Sequence, residues 1–304
     1  MILEPILEPI LEPLVNEPKP PAAANAPNNA NTAFNPSALP AAAGWAWIVL
    51  GWRLYRRSPL IWLLLVLVFW LSLTIVAIIP VLGALAATAL LPALSVGFLL
   101  AGDLIDRNQP CPPTVLFTAL KSNPRPFLIL GLAYLAGMLI VLGASSLADG
   151  GAFFRMMMFG QIPTKEVIQS DSFFFAVNLW FMLYVPYVAA FWFAPALVHY
   201  AKMDPLKAVF FSFFASLRNI RAFFVYAIAW ALIAFVLGAV IMLLAASLSQ
   251  APLKLARGMM LPLGLMMMSV LYCTFYASYR TVFQPNPPAG SVDSPAPPPE
   301  PPSP

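Results

Sequence analysis

At 304 residues the chain is long enough for one or two water-soluble domains, yet 61% of it is hydrophobic and only 9% charged, against about 25% charged in an ordinary soluble domain. So little charge excludes a protein that covers a water-facing surface of its own size. A net charge of +4 and a pI near 9.1 would suit a nucleic-acid binder, but the cations gather in short loops beside apolar segments, where they set membrane orientation; no nucleic-acid partner is expected.

Residues 1–43 open with the period-four repeat Ile2-Leu3-Glu4-Pro5, Ile6-Leu7-Glu8-Pro9, Ile10-Leu11-Glu12-Pro13 and continue as an Ala/Asn/Pro stretch. Proline at every fourth residue forbids a continuous helix, so this segment reads as a disordered tail. It has no basic start, apolar core or cleavage site of a secretory leader, and the first apolar span reads as an uncleaved anchor. Residues 284–304 form a second low-complexity tail with ten prolines, a composition that favours extended polyproline II.

Between the tails, residues 60–101 are 42 positions without Asp, Glu, Lys or Arg. As one helix they would run roughly 63 Å, about twice the hydrocarbon core. The chain must turn back, and Pro80-Val81-Leu82-Gly83 is the place. Two spans follow, near 60–79 and 83–101. Further runs of about 20 apolar residues bounded by charge predict spans near 126–147, 173–198, 222–249 and 259–279. Continuous rather than alternating apolarity makes them helices, not barrel strands. The fold expected over residues 44–283 is an all-α bundle of six transmembrane helices.

Counting cations in successive loops orients the bundle. Lys19, Arg53, Arg56, Arg57, Arg107, Lys121, Arg125, Lys202, Lys207, Arg218, Arg221 and Arg280 share one side if the spans alternate. Only Arg155, Lys165, Lys254 and Arg257 lie on the other. Twelve against four places both termini in the cytoplasm.

Three segments before the odd-numbered spans read as short amphipathic helices in the membrane interface: 44–57, 114–121 and 205–218. In the first, Trp45, Ile48, Val49, Trp52 and Tyr55 fall on one face. In the second, Leu116, Phe117 and Leu120 do so. The third carries Leu206, Val209, Phe210, Phe213, Phe214 and Leu217 at i, i+3, i+4, i+7 spacing. Each ends in a basic or Asn-containing turn: Ser58-Pro59 after Arg53, Arg56 and Arg57; Asn123-Pro124 between Lys121 and Arg125; Asn219-Ile220 between Arg218 and Arg221. The expected architecture is therefore three copies of one unit, an interfacial helix followed by a helical hairpin.

The stretch from Gly44-Trp45 to about Gly143, with Trp52-Arg53, Arg56-Arg57-Ser58-Pro59, Leu91-Pro92-Ala93-Leu94-Ser95-Val96-Gly97-Phe98 and Asn123-Pro124, resembles an uncharacterised proteobacterial family of multi-spanning inner-membrane proteins. The resemblance covers most of the chain between the tails and implies a bacterial inner-membrane address. Its motifs are topological, so it implies no chemistry.

Ionisable residues inside spans are the usual pointer to ion or proton pathways, and these spans contain none. Asn178 is the most polar residue well inside a span and suits interhelical packing better than a substrate site. His199, the single histidine, has no partners for a metal site or triad and reads as an interfacial ring. Asp103 and Asp106 beside Arg107 could hold a cation together, although i, i+3 acids there fit a solvated helix end. Cys111 and Cys273 are expected as free thiols. The methionine runs 156–158 and 259–260 read as apolar filler rather than a Cu(I) site. No catalytic set, metal site or cofactor is expected. The leading expectation is a non-enzymatic membrane-organising or partner-binding protein on anionic lipid, with a homo-oligomer or protein partner as further possibilities; the alternative is a transporter or flippase for a neutral or amphipathic solute.

Overall fold

The computed structural model describes residues 36–247 and 252–283. The described residues form α1 (Ala43–Arg57), α2 (Pro59–Ala77), α3 (Leu82–Asp106), a 3₁₀ turn (Pro113–Phe117), α4 (Thr118–Ser122), α5 (Pro124–Asp149), α6 (Ala152–Phe159), α7 (Lys165–Ile168), α8 (Asp171–Trp192), α9 (Ala194–Tyr200), α10 (Pro205–Arg218), α11 (Ile220–Ser247) and α12 (Pro252–Phe283). Six of them, counting α8 and α9 as one crossing, are long and apolar enough to span a bilayer: α2, α3, α5, α8–α9, α11 and α12. The Ile-Leu-Glu-Pro repeat and the Pro-rich C-terminal tail lie outside the described residues.

Local chemistry sets the helix ends. Proline at the first helical position opens α2, α5 and α10, where its missing N–H costs nothing. The Ser170 hydroxyl accepts from the Phe173 N–H to cap α8, and Asp204 accepts from Leu206 and Lys207 N–H groups to cap α10. Gly150, at φ 65°, ends α5 in the left-handed conformation a side chain resists. The α2–α3 hairpin is tighter than its sequence suggests. Val81 sits at φ 61°, ψ −63° and the Leu82 N–H donates to the Pro80 carbonyl at 2.7 Å, a γ-turn that is strained for a β-branched residue.

The largest core lies toward one end, where α1, α2, α3, the 3₁₀ turn, α4, α9, α10, α11 and α12 converge around Trp47, Trp62, Phe98, Leu116, Phe193 and Tyr279. We call this the basic end, since Arg53, Arg56, Arg57, Arg107, Lys121, Arg125, Arg218, Arg221 and Arg280 sit on the helix termini and connections there. A smaller cluster at the opposite end packs Leu142, Phe153, Phe173 and Ala176 beneath α6. The flanks are apolar: α2 exposes Leu60, Trp70 and Ile75, and α11 exposes Phe224, Leu232 and Phe235. An apolar surface of this extent is a lipid-facing one.

Inside hydrocarbon, helices gain nothing from leaving the lipid and associate by close packing and hydrogen bonds. Glycines accordingly mark the crossings. Gly131 of α5 meets the Ala89 backbone of α3, Gly97 of α3 meets Leu116, and Gly44 and Gly51 of α1 meet Ala222 of α11 and Thr274 of α12. Gly137 likewise lies under the Tyr187 ring, whereas Gly238 has nothing within 4 Å.

Four expectations need correction. The face of α1 that meets the bundle is Gly44, Trp47, Ile48, Gly51, Leu54 and Tyr55; Trp45 is half-buried and Trp52 is 40% exposed. A stripe chosen by size missed it because two of its positions are glycines. In α10 the large stripe points away from the protein, with Leu206, Phe210, Phe214 and Leu217 exposed, while Pro205, Ala208, Ser212, Ala215 and Ser216 pack inward. Segment 114–121 is a 3₁₀ turn joined to one helical turn rather than a continuous amphipathic helix. The fourth span breaks at Phe193, because the Phe193 N–H donates to Ser212 Oγ at 2.9 Å and Pro195 follows at the start of α9.

The tail boundary also moves. Residues 36–43, assigned to the N-terminal tail from composition, include an ordered strap: the Ser37 N–H donates to the Val282 carbonyl, and Asn219, 1% exposed, accepts from the Leu39 N–H at 2.8 Å while donating to the Ser37 and Ala215 carbonyls at 3.0 Å each.

Candidate functional site at the basic end

The charged groups of the basic end converge on the last turn of α3. Asp106 accepts from Arg57 of α1 at 2.7 Å and from Arg280 of α12, so one carboxylate ties three helices. One turn earlier, Asp103 pairs with Arg107 at 3.2 Å. The two acids expected to mark a solvated helix end are therefore engaged with three arginines. Their partners lie 49 and 174 residues away for Asp106, beyond any local pattern.

Tyrosines complete the node. Tyr276 of α12 lays its ring on the Gly102 backbone and is 5% exposed. Its buried hydroxyl has no hydrogen-bond partner and stands within electrostatic reach of Asp103, Asp106 and Tyr200. Tyr200 of α9 stacks on Tyr279 at 5.2 Å, and His199 is half-buried beside it, 4.9 Å from the Tyr200 ring and 6.4 Å from Phe127. On the outer side of α3, Asp103 opens into a cleft of about 330 Å³ lined by Leu100, Leu104, Pro112, Thr114, Val115 and Thr118.

The cations around this node divide into two groups. Arg57, Arg107 and Arg280 are paired with the aspartates. Arg53, Arg56, Lys121, Arg125 and Arg221 are exposed and form no ion pair among the described residues; Arg218 is exposed as well. They form a collar that alternates with exposed aromatic and aliphatic groups, including Trp52, Phe210 and Phe214. Trp52 stacks on Tyr55 at 5.5 Å, which holds the ring at the edge of the collar.

Mid-depth chemistry lies elsewhere than expected. Asn178 is exposed on the outside of α8 and returns its amide N–H to the Phe174 carbonyl of its own helix at 2.8 Å; it makes neither the interhelical contact nor a cavity. Tyrosines supply further polar groups nine residues along α8 from Asn178 and on the facing α5. Tyr187 donates to the Tyr134 carbonyl at 2.9 Å, its ring lying 5.2 Å from Tyr134 and 5.8 Å from Tyr184. Tyr134 is ten residues into α5 from Pro124, roughly 15 Å of helix. Ring contacts run on from Tyr184 through Trp180 to Phe153 and from Tyr187 to Phe191. On α8 the ladder occupies i, i+4, i+7 and i+11, at Trp180, Tyr184, Tyr187 and Phe191. The spacing is visible in the sequence, but aromatic residues at helical spacing equally mark a filled core.

Cys111 and Cys273 are free and buried, and burial pushes the Cys111 thiol above its usual range. No group of three or more metal-ligating side chains occurs among the described residues.

Six apolar crossings, short connections and cations gathered at one end define a polytopic helical membrane protein. The chain belongs to the family of a probable inner membrane protein of Burkholderia thailandensis, to which it is 34% identical over 255 residues, 80% of this chain and 92% of the relative. No family model matches the sequence, and no solved structure matches it.

Proposed function

We propose that this protein is a non-enzymatic organiser of the inner membrane, with its basic end in the cytoplasm and its collar bound to anionic headgroups. The supporting observation is the division of charge: each aspartate of α3 is matched internally, leaving Arg53, Arg56, Lys121, Arg125 and Arg221 to face outward. Each such cation near an anionic leaflet contributes about 1 kcal/mol of attraction. Exposed Trp52 and Phe210 beside them suit the headgroup layer. A partner protein or second copy would meet this same face.

The test is the lipid that stays with the protein. Extracted in mild detergent, the native chain should retain phosphatidylglycerol or cardiolipin above their membrane abundance, and replacing Arg53, Arg56, Lys121, Arg125 and Arg221 with glutamine should remove the enrichment. Equal retention by both chains ends the reading. Reporter fusions at residue 283 should respond as cytoplasmic.

The tyrosine ladder supports a second reading, transport of a neutral or amphipathic solute. Pro186 adjoins Tyr187 and leaves the Met182 carbonyl without its helical donor, so hydroxyls and a free carbonyl share one depth. Cysteines placed at Tyr134 and Tyr184 should then be labelled by aqueous reagents. Protection of both positions from either side removes this reading.

A further inference from the structure

The cleft beside Asp103 brings opposite charges, hydroxyls and apolar side chains together at the basic end of the bundle. Its floor is Leu100, Leu104 and Val115 and its rim carries Asp103, Thr114 and Thr118. The Asp103 carboxylate is paired with Arg107, whose side chain is 59% exposed. A volume of about 330 Å³ is at the lower end of pockets that hold small ligands, about 300–1,000 Å³. The position is fixed by α3: Leu100 and Leu104 lie in the last two turns of this apolar crossing.

We propose that this cleft binds the headgroup of an amine-bearing zwitterionic phospholipid of the phosphoethanolamine type, its ammonium on Asp103 and its phosphate on Arg107, Thr114 and Thr118. A zwitterion replaces the internal pair by two external ones with no net change in charge. An anionic glycerol headgroup offers Asp103 hydroxyl donors but no cation to offset its charge. A choline headgroup has no N–H to donate and a bulkier cation. The phosphate oxygens also accept hydrogen bonds, which the Thr114 and Thr118 hydroxyls supply. The apolar floor favours a lipid over a soluble phosphate ester. The site is separate from the basic collar, and the inference stands whether or not the collar selects anionic lipid.

Native mass spectrometry of the delipidated full chain in maltoside detergent tests this. Phosphatidylethanolamine, phosphatidylcholine and phosphatidylglycerol of matched acyl chains are titrated separately, together with O-phosphoethanolamine. One phosphatidylethanolamine per chain should bind at least about fivefold tighter than either other lipid. Asp103→Asn should weaken that binding about tenfold, Thr114→Val and Thr118→Val about threefold each, and Lys165→Ala at the opposite end should leave it unchanged. If Asp103→Asn fails to fold, the two milder variants carry the test. Equal binding of the three lipids, or a preference that survives all the site variants, overturns the proposal. Free O-phosphoethanolamine binding as tightly as the lipid also overturns it, since the cleft would then serve a soluble ligand.

Discussion

Trp47 of α1 donates its indole N–H to Thr281 Oγ1 of α12 at 2.8 Å, across 234 residues of sequence. The ring is fully buried and meets Phe223 and Tyr226 of α11 edge-on at 5.1 and 5.8 Å, so one side chain joins α1 to both C-terminal spans. Trp47→Ala should cost about 3–5 kcal/mol, the usual range for a deleted core aromatic. Thr281→Val keeps the shape, removes the acceptor and should cost about 1 kcal/mol. Denaturation followed by intrinsic fluorescence checks both; a Trp47→Ala protein of wild-type stability would place α1 on the lipid surface instead.

Asp106 serves two arginines of unequal burial, and the inequality has consequences. Arg57 is 51% exposed and Arg280 25%. Solvent screens the first pair, so a double-mutant cycle between Asp106 and Arg57 should return about 0.2–1 kcal/mol. The cycle with Arg280 should return about 1.5–3 kcal/mol, as for a hydrogen bond to a charged group. Salt should weaken the first coupling more than the second.

Asn219 holds the strap at Ser37 and Leu39 with two of its three amide bonds, the third going to the Ala215 carbonyl of α10. Asn219→Ala removes them together and should cost about 1–3 kcal/mol through the Leu39 N–H and Ser37 carbonyl left behind. The visible effect should be faster proteolytic cleavage near residues 36–42, with the helical bundle intact. Unchanged cleavage would mean that Ser37 to Val282 alone secures the strap.

Two glycines separate packing from propensity. A methyl at Gly131 would run into the Ala89 carbonyl, whereas at Gly238 nothing lies within 4 Å. Gly131→Ala should therefore destabilise by about 1–3 kcal/mol through forced separation of α3 and α5. Gly238→Ala should be neutral in the monomer or stabilise it by up to about 1 kcal/mol. A large loss at Gly238 would reveal a helix packed there in the assembled protein.

The sequence alone determined the crossings and their order. The cost of charge in hydrocarbon is paid residue by residue, so uninterrupted apolar runs and their basic borders can be counted along the chain, and the six helices fall where that count puts them. Only the tertiary structure decided which faces meet. At crossings the discriminating residues are glycine, alanine and serine, which a pattern weighted by hydrophobicity ignores; Gly51 of α1 and Ser212 of α10 are such positions. The joining of Asp106 to Arg57 and Arg280, the strap held by Asn219 and the break at Phe193 also depend on partners that folding brings together from distant segments. Lipid imposes its rule locally and helix–helix contact does not, which is why the first was legible in the chain and the second required its three-dimensional arrangement.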